Sequence, residues 1–127
     1  MKYLCLIFYD EKERNALSED ESQTLIHDSL SFDKDLRGSG NLLAAHALDQ
    51  VRTAKTLRTR DGNVLVTDGP FAETKEQIAG FVVIEAKDLD EAIHLASRIP
   101  PARLGGVEVR PIIERPTLEH WKNAADQ

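Results

Sequence analysis

The order of apolar and turn-forming segments predicts an α+β domain built on a β-α-β-hairpin-β-α-β chain. Three observations carry this. Residues 3–9 (Tyr-Leu-Cys-Leu-Ile-Phe-Tyr) and 81–84 (Phe-Val-Val-Ile) are apolar or aromatic at every position, the pattern of strands covered on both faces. Each is followed by a stretch with helical spacing, about 19–37 and 89–98. Between the halves, Asp61-Gly62 separates two strand-like runs, 53–60 and 63–67, which is a strong hairpin signal. The order is the split βαβ arrangement of ferredoxin-like folds, with the hairpin inserted before the third core strand. There the first and third core strands are the inner pair, and the two uniformly apolar segments fall on them.

Each element has its own warrant. The charged stretch Asp10–Arg14 ends the first strand. Ser18 with Glu21 three residues on forms a capping box, and Glu19, Asp20 and Glu21 suit the positive end of a helix. Leu25, Phe32 and Leu36 share one helix face, flanked by Ile26 and Leu30, and Gly38 is a natural stop. Residues 41–48 read as a second strand, with Leu42, Ala44, His46 and Leu48 on one face by two-residue periodicity. The connection 67–80, Thr-Asp-Gly-Pro-Phe-Ala-Glu-Thr-Lys-Glu-Gln-Ile-Ala-Gly, runs from the hairpin to a strand at 81–86. Most connections in compact domains have about 4–6 residues, and longer ones are often functional. Asp88 caps the second helix, whose buried side holds Leu89, Ala92, Ile93 and Ala96, and Pro100-Pro101 cannot continue it. Gly105-Gly106 turns into the last strand, 107–113. Residues 1–115 are thus expected to form one domain. The tail 116–127, with Trp121, reads as a short helix packing on the body or on a partner.

Two helices cover only one face of such a sheet. The inner strands are apolar on both faces, so a second copy of the chain, packed sheet to sheet, is the expected cover: a homodimer. A hydrophobic share of 41% and a charged share of 30% are those of an ordinary globular domain. The net charge of −6 speaks against general nucleic-acid affinity, which needs a positive surface. Arg52, Lys55, Arg58 and Arg60 form a local basic strand, either a solvated edge or a seat for an anionic small molecule. Cys5 is the single cysteine and lies in an apolar run, so a buried structural thiol is expected rather than a disulfide or thiolate metal site. The N-terminal apolar run is too short to span a membrane and shows no signal-peptide cleavage pattern, so a cytoplasmic protein with no membrane partner is expected.

Few side chains point to chemistry. His27 and His94 fall on polar helix faces, and His120 is in the tail. His46 shares a strand face with apolar residues, which suits either a satisfied core histidine or a general base. Asp68 would orient and strengthen such a base. Before Gly69-Pro70 it equally suits an Asx-turn to its own backbone. Phe71 reads as an anchor folding the loop onto the core, and Thr74 and Lys75, with Arg58, as candidates for a pocket mouth. Neither metal-ligand spacing nor a phosphate-binding glycine loop occurs, so no metal and no cofactor is expected.

The run Asp68-Gly69-Pro70-Phe71-Ala72-Glu73-Thr74-Lys75-Glu76, with Gly80-Phe81 after it, resembles the signature of the DGPF-domain group of YCII-related proteins. The similarity extends over roughly residues 1–114, including the MKYLCLIFYD opening, Ser97-Arg98-Ile99-Pro100 and Val107-Glu108-Val109-Arg110-Pro111. The resemblance implies a dimeric α+β barrel of ferredoxin-like subunits. It also implies a pocket with a His–Asp pair, as in the lyase-like YCII relatives that act on small ring compounds. Asp68 matches the motif directly, whereas related sequences often have Glu or another polar residue where His46 stands. The expected function is therefore a homodimeric small-molecule-binding protein with cofactor-free acid/base activity of a lyase or isomerase kind, His46 as base and Asp68 orienting it. The alternative is a non-catalytic regulatory or interaction module linked to sigma-factor transcription control, since many DGPF members are encoded beside extracytoplasmic-function sigma factors.

Overall fold

A computed structural model of the chain describes residues 1–125. Its elements are β1 (Lys2–Tyr9), α1 (Glu11–Asn15), α2 (Glu19–Gly38), β2 (Leu42–Ala47), β3 (Lys55–Arg60), β4 (Asn63–Asp68), β5 (Gln77–Glu85), α3 (Leu89–Ala96), β6 (Gly105–Pro111) and α4 (Leu118–Ala125). Four strands form an antiparallel sheet in the order β2-β5-β1-β6, with β1 and β5 inside. This is the split βαβ order, and the α+β ferredoxin-like fold is the one that the two apolar strands announce. Among the described residues β3 and β4 pair only with each other, as a separate two-stranded ribbon.

The core lies between the sheet and the helices. Tyr3, Cys5 and Ile7 of β1 and Val82 and Ile84 of β5 point to one face, where they meet Phe32 and Leu36 of α2 and Ala92, Leu95 and Ala96 of α3. Tyr3, Cys5 and Ile84 have less than 2% of their surface exposed. Full burial of one large apolar side chain stabilises by about 1.5–3 kcal/mol, so this cluster dominates the favourable side of folding. The alternate residues Leu4, Leu6, Phe81 and Val83 point to the other face, lie opposite one another across β1 and β5, and are half-buried.

Local chemistry sets the helix starts. Ser18 accepts from the Glu21 backbone N–H at 3.1 Å while Glu21 accepts from that of Ser18 at 2.9 Å, completing the capping box. Asp88 caps α3 by accepting from the Glu91 N–H at 2.9 Å. The stretch Asp10–Arg14 is more than a strand terminator: Asp10 accepts from the Lys12 N–H at 2.9 Å and caps α1.

Three expectations are corrected. On α3 the buried side is Ala92, Leu95 and Ala96, whereas Leu89 and Ile93, a turn apart on the neighbouring stripe, are 47% and 50% exposed. β2 carries a bulge between Leu42 and Ala44, so Leu42 pairs with Ile84 and Ala44 with Val83. The extra residue breaks the two-residue period. Leu42 and Ala45 therefore pack on the core, whereas Ala44 and His46 lie on the opposite face beside Val83 and Phe81. The strand after the hairpin begins at Gln77 rather than 81, because Gln77 and Ile78 already pair with Tyr9 and Phe8 of β1. The connection from β4 to β5 is thereby reduced to residues 69–76. No helix among the described residues is long and apolar enough to cross a membrane.

Candidate functional site

The side chains of the 67–80 stretch are largely spent on holding its own shape. Gly69 sits at φ +99°, a conformation that L side chains rarely adopt. Its N–H donates to the Ala54 carbonyl at 2.9 Å, and its carbonyl accepts from the Thr56 hydroxyl at 2.8 Å, which ties the loop to the base of the hairpin. Gln77 reaches back to donate to the Ala72 and Thr74 carbonyls at 2.8 and 3.0 Å, and the Thr74 hydroxyl donates to the Glu76 carbonyl at 2.7 Å.

Asp68 makes no Asx-turn. Its carboxylate is bound by the Lys55 ammonium, directly opposite it in the β3–β4 register. That hydrogen bond, with the Lys55 charge, holds the Asp68 carboxyl below the usual carboxylate range. The pairing follows from the two-residue Asp61-Gly62 turn, which counts residue 55 against 68 and is the signal that reveals it in sequence. Phe71 does not anchor the loop on the core either. It is 72% exposed and lies under the Arg58 guanidinium, 4.5 Å from ring centroid to Cζ, a cation–π contact on one face of the ribbon. Lys75 is exposed.

His46 stands elsewhere. It is exposed and packs on Phe81, its cross-strand neighbour, with ring centroids 5.6 Å apart. Among the described residues no hydrogen bond or ion pair joins it to Asp68. Arg58 and Phe71 are thus brought together, as are Lys55 and Asp68, but His46 and Asp68 are not joined within one chain.

The concave site lies on the helix side of the sheet. A cavity of about 410 Å³ opens between α2 and strands β1, β2 and β5, and Ile99, Pro100 and Pro101 also line it. Its α2 wall is formed by Leu25, Ser29, Phe32 and Asp33, at the three- and four-residue spacing that stacks side chains along one face. Ile7, Ala45 and Val82 line the sheet side, and His46 and Phe81 lie at the β2 edge of the same cavity. None of Arg58, Asp68, Phe71, Thr74 and Lys75 lines it.

The polar groups of the cavity are few. The Ser29 hydroxyl is occupied, donating to the Leu25 carbonyl at 2.8 Å. Burial raises the Asp33 carboxyl above its usual range, against the lowering pull of Arg37. Arg14, half-buried at the end of α1, and Tyr9 also line the cavity. Sequence reasoning missed Arg14 because it reads as one charge among several; only the fold sets it against a gap in an apolar wall. Among the described residues no cluster of three His, Cys, Asp or Glu side chains is placed to hold a metal ion.

The comparison with known proteins supports the YCII-related part of the resemblance. The model of the YCII-related domain matches residues 1–116. The chain belongs to the YCII-related family. An uncharacterised protein of Rhizobium meliloti (strain 1021) is 37% identical over 114 residues, covering 88% of this chain and 92% of that protein. Within the YCII-related domain, the match takes in the whole sheet, α2 and α3, and therefore every wall of the cavity.

Proposed function

We propose that this YCII-related protein is a homodimeric small-molecule-binding protein whose ligand occupies the cleft between α2 and the sheet. The cleft itself carries the reading: about 410 Å³, walled by apolar side chains and supplied with a few polar ones, it has the size and lining of a metabolite site. A thermal-shift screen against small ring compounds tests it. A hit should raise the melting temperature of the native chain, as any ligand selective for the folded state does. Ser29→Phe, which fills the cleft, should abolish the shift, and Asp68→Asn should keep it. Retention of the shift by a folded Ser29→Phe chain contradicts the cleft.

The dimer rests on a separate observation. Leu4, Leu6, Phe81 and Val83 present an apolar sheet face that neither α2 nor α3 covers, and Leu57, Val64, Leu65 and Val66 of the ribbon are 53–62% exposed. Exposed apolar surface on this scale suits an interaction site, and the same face of a second copy is its simplest match. Light scattering should give a dimer mass at micromolar concentration; a stable monomer contradicts the reading.

Within this proposal, acid/base turnover of a lyase or isomerase kind falls to His46, which would act at the open β2 edge of the cleft, because its side chain packs on Phe81 on the sheet face away from α2. Asp68 would orient it only from the other subunit or after release from Lys55. Loss of turnover in His46→Ala with ligand binding intact is the expected result.

A further inference from the structure

We infer that the ligand of this cleft is an amphiphilic anion: an apolar, ring-sized body between α2 and the sheet, with a carboxylate or similar oxyanion held by Arg14. The inference rests on the cleft being the binding site and adds the chemical class of what it takes. A second, more polar cavity of about 220 Å³, lined by Glu11, Asn15, Asp49 and Gln50, adjoins the first. Tyr9, Arg14 and Ala79 line both, so they mark the junction of an apolar compartment with a polar one. A ligand spanning that junction has an apolar end and a polar end.

Arg14 decides the charge of the polar end. Arg14 is half-buried as a residue, and among the described residues its guanidinium forms no ion pair and no hydrogen bond. A guanidinium keeps its charge at all accessible pH and presents several donors in a planar fork suited to an oxyanion. The acids lining the two cavities compete for it less than their number suggests. Glu11 already accepts from the Val51 N–H at 2.7 Å and Asp49 from the Gln50 N–H at 2.7 Å, each through one carboxylate oxygen. Burial disfavours the charged form of Asp33, which weakens it as a partner for the guanidinium. The Tyr9 hydroxyl supplies a further hydrogen-bonding group at the same junction.

Calorimetric titration of the full chain with three probes of one shape tests this: 2-naphthoate, 2-naphthamide and 2-naphthylmethylammonium. The naphthoate should bind at least about tenfold more tightly than the amide, the scale of a charge-assisted hydrogen bond, and the preference should shrink with added salt. Arg14→Gln should bring acid and amide to equal affinity while the amide still binds. Equal affinities for acid and amide in the native chain, or preference for the ammonium, overturn the anion assignment and leave the cleft standing. A tenfold preference that survives Arg14→Gln in a folded chain likewise overturns it. Failure of all three to bind removes the cleft reading together with this one. A parallel NMR titration with the same probes separates these cases, since cleft binding moves the backbone amide signals of Ile7, Ala45 and Val82.

Discussion

Cys5 offers a quantitative test of where the core lies. It has no exposed surface, at the middle of inner strand β1 between Tyr3 and Ile7, and loss of hydration pushes its thiol up from 9.0 to about 11. The folded chain therefore holds the thiol proton through a pH range in which the unfolded chain has lost it. With more protons bound in the folded state, stability falls as pH rises. The thiol's contribution is complete below about pH 9 and is lost progressively between about 9 and 11. Two pH units at about 1.4 kcal/mol each give a loss of roughly 2–3 kcal/mol. Other groups titrate in the same range, so the measurement is a difference: urea unfolding of the native chain and of Cys5→Ala at pH 8, 9, 10 and 11. Cys5→Ala should be the less stable at pH 8 because of the small cavity it leaves. The gap should narrow by roughly 2–3 kcal/mol at the alkaline end. A gap that stays constant across the series refutes the buried-thiol account, as does rapid modification of Cys5 by a thiol reagent in the folded protein.

Other predictions concern the core and the motif loop. Leu36→Ala, at a position only 3% exposed between α2 and the sheet, should cost about 2–5 kcal/mol in chemical unfolding. Gly69→Ala should destabilise by more than about 1 kcal/mol, because the residue sits at φ +99° with its N–H and carbonyl both engaged by the hairpin base. Thr56→Val should cost about 1–3 kcal/mol by leaving the Gly69 carbonyl without its 2.8 Å donor, and should loosen the loop as read by amide exchange. Asp68→Asn should change the melting temperature little, since the Lys55–Asp68 pair is exposed. Because Lys55 lowers the Asp68 carboxyl from 3.8, any contribution of this pair is present at neutral pH and is lost only as pH falls below that value.

What the sequence discloses and what it hides divide along physical lines. Unbroken apolar runs, the Ser18–Glu21 capping box and the Asp61-Gly62 turn are short-range signals, and all three stand in the fold. The face of β2 is invisible in the same reading, because one bulged residue near Leu43 moves His46 off the face shared with Leu42. α1 hides in a run of charges because it buries no residue and rests on the Asp10 cap. The motif loop attracts functional interest by its density of polar side chains, yet Gln77, Thr74 and Asp68 bind within the loop or the ribbon. The cleft is assembled from residues spread between Ile7 and Pro101 that no local pattern groups together. Arg14 and Asp33 gain their significance only from the apolar walls around them.

The central claim is that the cleft between α2 and the sheet, and not the motif loop, receives the ligand. Amide chemical-shift mapping of the native chain against a library of small carboxylates tests it most directly. Ligand-induced shifts centred on Ile7, Ser29, Asp33, Ala45 and Val82 are predicted. Shifts confined to Arg58, Phe71 and Lys75, with the cleft residues unmoved, would contradict it.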